Sequence, residues 1–449
     1  MTQRDVPTSP KQPCERDDAL AVLKRLREAG HVAYFAGGCV RDELMGLVPK
    51  DYDVATDAPP QRVRELFTST QAVGAAFGVI LVRHRRSVVE VATFRADVSY
   101  EDGRHPTAVR FTTAEEDAKR RDFTINGLFL DPVENRVIDY VGGQADIRSR
   151  VIRAIGDPSH RFDEDHLRLL RAVRFASRFD FQIEPNTATA IERHAPKLAR
   201  ISPERIADEL RAMLTPTSRR AAWQSLVRFR LDEVIFRFLE LPWSPAHPEV
   251  RGHRSLALFE RVAPREAISF GLSLAATTLE YAAQRLPHLG EFEWLWQKLT
   301  TRGTVKAARA ALRISNDESD EMEGTLYGVE HLLASESHSV AALKRFLARP
   351  TARSSRVLAR AIAECGLFVE RVRSLEQRLD ELEKTEVAPA PLVNGDDLVA
   401  RGLSPGRAFK RALDFVYDEQ LEGRVTTREQ ALELGERKVR EFEAQGHAG

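Results

Sequence analysis

Cysteine is nearly absent: there are three in 449 residues, at positions 14, 39 and 365. They lie too far apart for a zinc-ligand spacing or a disulfide framework, and a reducing, cytoplasmic setting is the simplest expectation. Net charge is missing too, because 67 lysines and arginines are matched by 67 aspartates and glutamates. That balance excludes a polybasic tail acting as a tether for nucleic acid, while leaving room for a local basic groove. No apolar run approaches the roughly 18–20 residues a membrane helix requires, so no membrane partner is expected. The opening stretch 1–16 is polar and charged, unlike a secretory signal, and reads as a disordered leader. The remaining composition, 43 % hydrophobic and 30 % charged, is that of a globular chain of about three domains.

Helical spacing begins at Asp17–Asp18, runs through Leu20, Leu23 and Leu26, and stops at Gly30. HVAYFAGG then reads as a buried strand entering a double-glycine turn, followed by a short helix. DYDVAT (51–56) and VVEVATF (88–94) read as further strands, 114–129 as a helix, and RVIDYVGG as one more strand. This mixture predicts a small α/β (α+β) domain up to about residue 155. Beyond it the spacing is helical almost throughout, so 156–215 and 216–386 are expected to be all-α. Val372, Leu375, Leu379 and Leu382 mark a core helix, 387–393 a linker, and 394–449 a final helical module.

Chemistry concentrates in FAGGCVRDELMGLVPKDYDVAT. Asp51 and Asp53 are two apart in extended chain, so both carboxylates leave the same face. Such a pair repels unless a cation sits between, and magnesium ions there can activate a hydroxyl and steady a transferring phosphate. Solvated aspartates on an exposed strand are the plain alternative. Gly37 and Gly38 would let backbone N–H groups approach a phosphate. Arg41, on the first turn of the next helix, could clamp its oxygens. Cys39 reads as a small packing residue.

These residues resemble the signature of the class II template-independent nucleotidyltransferases, which include tRNA CCA-adding enzymes, their CC- and A-adding relatives and bacterial poly(A) polymerases. The likeness continues through EEDAKRRDFTINGLFLDP (115–132), IDYVGG (138–143), DEDHLRLLRAVRFASRF (163–179) and ISPERIADEL (201–210). It implies a nucleotidyltransferase head (17–155), a nucleotide-recognition neck (156–215), a helical body (216–386) and a tRNA-binding tail (394–449). It also implies that Asp51 and Asp53 hold catalytic Mg2+, and that Gly38, Arg41 and Arg121 contact the nucleotide. Asp165, Arg168, Arg171 and Arg174 match the stretch that reads the incoming base and supports the triphosphate. Asp165 and Arg168, three apart on a presumed helix, would be neighbours able to mimic a base edge. Arg174 would face away, equally open to a structural ion pair. Glu90 as a third metal-site carboxylate, and Asp122 as an arginine partner or site organiser, stay open.

Within that family, three features resemble the tRNA enzymes. VGAAFGVILVRHRRSVVEVATFR resembles their glycine-spaced strand, RADVSYEDGRHPTAVRF (95–111) their flexible loop, and 394–434 their tail. The implied partners are tRNA, CTP and ATP, and the implied activity is CCA addition. The alternatives are CC-only or A-only addition, then polyadenylation; a non-enzymatic RNA-binding protein would lack a carboxylate or a clamp. SFGLSLAATTLE resembles a helix that carries a His-Asp pair in many relatives. Thr277–Thr278 stand there instead, so no phosphatase site is expected, and His247 and His253 read as surface or packing residues.

Overall fold

The computed structural model describes residues 15–74, 77–100, 106–239, 257–283, 301–335 and 337–446. The leader as far as Cys14, the middle of the 95–111 loop, and His247 and His253 lie outside the described residues. The chain divides into two compact units, 1–237 and 238–449.

The first unit contains α1 (Arg16–Glu28), β1 (Ala33–Ala36), α2 (Gly38–Leu44), β2 (Val54–Thr56), α3 (Pro60–Leu66), β3 (Thr70–Gly74), β4 (Val79–His84), β5 (Ser87–Thr93), β6 (Arg95–Tyr100) and β7 (Pro106–Phe111). It continues with α4 (Ala114–Lys119), β8 (Leu128–Asp131), β9 (Arg136–Asp139), α5 (Gly143–Ser149), β10 (Val151–Ile152), α6 (Pro158–Glu164), α7 (Arg168–Phe179), β11 (Gln182–Ile183), α8 (Pro185–His194), α9 (Pro203–Leu214), α10 (Arg219–Arg228) and α11 (Leu231–Ile235).

Seven strands form one mixed sheet in the order β3-β4-β5-β2-β1-β8-β9. Helix α1 covers it because Ala19, Val22, Leu23 and Leu26 fall on one stripe, and all four are fully buried with Phe35, Val54, Val89 and Leu128. Strand β5 alternates buried and half-buried residues, so Val89 and Val91 face that core while Glu90 faces away from it. The aspartate pair lies just ahead of β2, which is shorter than the 51–56 strand expected from sequence. Even so, the pairing with β1 reaches it, since Ala36 N–H donates to the Asp53 carbonyl at 3.0 Å.

Three further expectations need correction. The helix expected over 114–129 ends at Lys119, and the chain passes through a short 3-10 turn, Thr124–Asn126, into β8. Asp122 accepts from the Phe123 N–H, and Phe123 bridges to Ala154 instead of continuing the helix. The 95–111 segment is anchored as strands, with β6 and β7 paired antiparallel from Arg95–Phe111 outward. The helical region is not purely α either, because β11 pairs parallel with β10.

The second unit is helical wherever described: α12 (Leu258–Arg261), α13 (Phe270–Ala283), α14 (Thr301–Leu312), α15 (Asn316–Ala334), α16 (Val340–Leu347), α17 (Ala352–Glu364), α18 (Val369–Leu382), α19 (Gly395–Ala400), α20 (Arg407–Leu421) and α21 (Arg428–Gly446). Val372, Leu375 and Leu379 of α18 are core residues. The α17–α18 contact closes on Arg356, which meets Glu376, Asp380 and Glu383 at 2.5–2.8 Å. Thr277 and Thr278 are buried in α13, their hydroxyls donating to the Ser273 and Leu274 carbonyls of the same helix. Among the described residues no helix is long and apolar enough to cross a membrane, and Cys39 and Cys365 are free thiols.

Candidate active site

The site is assembled at the carboxyl end of β1. Gly37 turns the chain with a φ of +72°, a conformation that favours glycine. A side chain there would also collide with Arg121, whose Nη1 lies 2.7 Å from where a Cβ would stand. Gly38 opens α2 with no such conflict, its nearest neighbour being Arg41 Nη2 at 3.6 Å. Because β2 runs antiparallel to β1, with Phe35 opposite Val54, the residues before β2 arrive beside this turn. Tyr52 is buried, packs tilted against the Phe35 ring at 5.2 Å between centroids and donates to Glu43 at 2.8 Å. Its neighbours are exposed (Asp51) and half-buried (Asp53), and in an extended chain the residues flanking a buried one leave the opposite face.

Cys39 sits against this segment, and burial pushes its thiol up to about 12 although hydrogen bonds to the Asp53 and Ala36 backbone work the other way. It is inert packing, not a nucleophile. Parallel pairing of Val54 with Val91 puts Glu90 one step back, level with Asp53 in the sheet. Among the described residues no group of three His, Cys, Asp or Glu side chains is set to hold a metal ion. Two hard carboxylate oxygens beside a phosphate-accessible turn suit a divalent ion that keeps water and substrate phosphate as its other ligands. On that donor chemistry the pair fits such a metal.

Arg41 differs from the open clamp expected of it. The residue is 4 % exposed, and its guanidinium is bound by Asp42 at 2.6 and 2.8 Å and by the Asn126 carbonyl oxygen Oδ1 and lies over the Phe179 ring at 4.7 Å. Asp42 also faces Arg178 at 3.6 Å. The turn is thus tied through α2 to α7. Arg121 is held by Asp117 at 3.0 Å and donates to the Asn126 carbonyl at 3.2 Å. Buried Asp117 also receives Arg120 and the Arg95 backbone N–H, and these arginines hold its carboxyl below the ordinary range even though burial works the other way.

The recognition residues need the largest correction. Asp165 and Arg168 do not share a helix: α6 ends at Glu164, Asp165 is extended at φ −148°, and α7 starts at Arg168. An Asx turn, with Leu167 N–H donating to Asp165 Oδ1 at 3.0 Å, makes the break. Arg168 instead pairs with Glu164 and donates to the Arg161 carbonyl. Arg171 and Arg174 are on α7 as expected. Arg171 bonds Asp122 at 2.7 Å, which settles Asp122 as an arginine partner. Burial alone would raise the Asp122 carboxyl, but Arg171, the Asn126 amide and Arg168 outweigh it and bring it down to about 2. Arg174 Nε lies 2.7 Å from Glu209 Oε2, an ion pair not aligned as a hydrogen bond. Burial raises the Glu209 carboxyl despite that arginine and Arg171.

Asn126, Asp117, Glu164, Arg205 and Glu209 brace Arg41, Arg121, Arg168, Asp165 and Arg174 in turn, and none of the five is marked by the motifs. Of these only Glu209 stands out in the pattern, as a carboxylate within the buried stripe of Ile206, Ala207, Leu210 and Met213.

Residues 33–153 match the family described as "Poly A polymerase head domain", and 180–241 the family described as "Probable RNA and SrmB- binding site of polymerase A". Over 435 residues the chain is 30 % identical to the CCA-adding enzyme of Limosilactobacillus fermentum, covering 94 % of this chain and 96 % of that protein. The chain belongs to the CCA-adding enzyme family. Against the CCA-adding enzyme of Bacillus licheniformis it is 47 % identical over 197 residues, 44 % of this chain. There the chain spans about half of the relative's length, 49 %. The crystal structure of the Bacillus stearothermophilus CCA-adding enzyme in complex with CTP superposes with a TM-score of 0.71 at 29 % identity, covering 95 % of this chain and 98 % of that one. The Thermotoga maritima CCA-adding enzyme complexed with tRNA shares the fold, with a TM-score of 0.63 at 19 % identity over 93 % of each chain.

Proposed function

We propose that this protein adds CMP and AMP, taken from CTP and ATP, to the 3′ end of tRNA without a nucleic-acid template. The observation that carries this reading is the pair Asp51 and Asp53, joined to the strand that enters the Gly37–Gly38 turn by the Ala36 N–H to Asp53 carbonyl bond, in a chain similar over nearly its whole length to a CCA-adding enzyme. The 3′ oxygen bonds to the α-phosphorus, the bond from that phosphorus to the bridging oxygen breaks, pyrophosphate departs and the hydroxyl proton passes to solvent. Asp51 and Asp53 would hold Mg2+, which when bound lowers the hydroxyl pKa and neutralises charge on the leaving group.

The chain's own residues bind and orient. Backbone N–H groups at Gly38, with the Arg121 guanidinium held by Asp117, face the phosphates and ribose. Arg41 engages three N–H groups with Asp42 and Asn126, so it braces the turn and offers the remainder to phosphate. Asp165 accepts from the exocyclic amine of the incoming base and Arg168 donates to its ring edge. Arg171 and Arg174, fixed by Asp122 and Glu209, supply positive charge beside the triphosphate. The domain plan of head (17–155), neck (156–215), body (216–386) and tail (394–449) accompanies this reading, as does a cytoplasmic setting for a chain with two free thiols among its described residues.

The test is to incubate the purified protein with magnesium, CTP and ATP on tRNA transcripts lacking the 3′ CCA, then sequence the ends. Completed CCA supports the proposal. Arrest at CC, addition of A alone to tRNA ending in CC, or long A tails would each replace it with a narrower or different polymerase.

A further inference from the structure

One helix braces most of the recognition set. Arg205 and Glu209 stand four apart on α9, hence on one face, and each meets a different part of the neck. Glu209 takes Arg174 at 2.7 Å and Arg171 at 3.9 Å. Arg205 Nη2 donates to Asp165 Oδ2 at 2.7 Å. Since Leu167 N–H occupies Oδ1 at 3.0 Å, the Asp165 carboxylate is held by one donor on each oxygen and cannot turn about its terminal bond without losing both. A carboxylate has room for about four donors, so acceptor capacity remains on both oxygens after this clamping. The other Arg205 terminal nitrogen, Nη1, is buried without a hydrogen-bond partner among the described residues.

Bases differ at the position that meets such an acceptor. Cytosine and adenine present an exocyclic amine there; uracil and guanine present a carbonyl oxygen. A carboxylate fixed in one orientation accepts from the first pair and repels the second, whereas one free to rotate, or to recruit a bridging water, discriminates less. We propose that Arg205 is a specificity-positioning residue: by fixing Asp165 it sets the preference for amino bases over keto bases. This rests on the reading of Asp165 as a base-facing acceptor, and the experiment separates the two.

The measurement is kcat/KM for CTP, ATP, UTP and GTP in single-nucleotide addition to a tRNA primer, for the wild type, Arg205→Gln, Arg205→Lys, Asp165→Ala and the Asp165→Ala/Arg205→Gln pair. Arg205→Gln is expected to lower the CTP-over-UTP ratio by about tenfold or more, through loss with CTP and gain with UTP. Arg205→Lys, which keeps a donor but not the planar fork, should recover part of the ratio. In the Asp165→Ala background, Arg205→Gln should change the ratio no further. Should all four nucleotides fall by the same factor in both Arg205 variants, Arg205 is merely structural and the proposal fails. Should Asp165→Ala leave the ratio unchanged, the reading of Asp165 fails first, and with it the role given to Arg205. If Arg205→Gln does not fold, as judged by its thermal melt, Arg205→Lys decides alone: an unaltered ratio with intact folding overturns the proposal.

Discussion

Gly37 and Gly38 look interchangeable in the sequence, and the structure separates them. Gly37 has both a positive φ and Arg121 pressed against it, so Gly37→Ala should cost a few kcal/mol and lower the melting temperature. Gly38 is an ordinary helical position with open contact to Arg41. Gly38→Ala should melt within a degree or two of wild type, and a fall in activity without loss of stability would then report crowding of the phosphate path. Equal destabilisation by the two substitutions would contradict this account. Gly143 belongs with Gly37, because a Cβ there would come within 2.2 Å of the Thr124 carbonyl. The Val141, Gly142 and Gly143 N–H groups all donate to Asp139, so this glycine pair serves packing while the Gly37–Gly38 pair serves the site. For the carboxylates, Asp53→Asn should remove more than nine-tenths of the turnover, a loss above about 1.4 kcal/mol in transition-state stabilisation, with tRNA affinity largely kept. A variant retaining over a tenth of the rate would sink the metal assignment.

Between elements, the junction of the sheet domain and α7 carries the most consequential interaction. Asp122 follows α4, Arg171 lies in α7, and their 2.7 Å contact buries the carboxylate, Asp122 being 8 % exposed, while the arginine stays half-buried. The folded Asp122 carboxyl sits at about 2, against about 3.9 in an unfolded chain. A lowered folded value means stability present above the unfolded pKa and lost as pH falls through the folded one. This pair should therefore contribute on the order of 2 kcal/mol above pH 5 and lose it between about pH 4 and pH 2. Chemical denaturation across that range should show the loss in the wild type and a shallower slope in Asp122→Asn. An unchanged slope would mean the pair is not the titrating link. Removing only the arginine should be harsher than removing both partners, since it strands a buried carboxylate.

At the scale of the whole molecule, the proposed activity requires a grip on RNA, and without net charge that grip falls to local patches. One lies on the tail, where Arg407, Lys410 and Arg411 are exposed on the first half of α20. Among the described residues no carboxylate pairs with them, whereas Asp418 and Glu419 further along face Arg345 and Arg424. Arg411 also covers the Phe442 ring at 4.2 Å, giving an aromatic-backed cation. If the tail grips tRNA, reversing Lys410 and Arg411 to glutamate should raise the KM for tRNA about fivefold or more, with a steeper loss as salt rises. The rate at saturating tRNA should barely move. An unaltered KM would take the tail patch out of the RNA path.

Local pattern alone determined much of this protein. The stripe of Ala19, Val22, Leu23 and Leu26, the glycine turn after an apolar strand, the two-residue spacing of Asp51 and Asp53 and the helical run beyond residue 156 are all consequences of backbone periodicity, which neighbouring residues write directly. Pattern could not show where the arginines and acids of the neck would go, because a charged side chain is directed by partners distant in sequence. Arg41 turned inward to Asn126, Asp165 left the helix for an Asx turn and met Arg205, and Arg171 found Asp122. The break at Asp165 overrode a good helical spacing because its side chain satisfied the Leu167 N–H locally and Arg205 across forty residues. Those pairings exist only once the sheet domain and α7, α8 and α9 are packed, when burying a charge leaves it no choice but a partner.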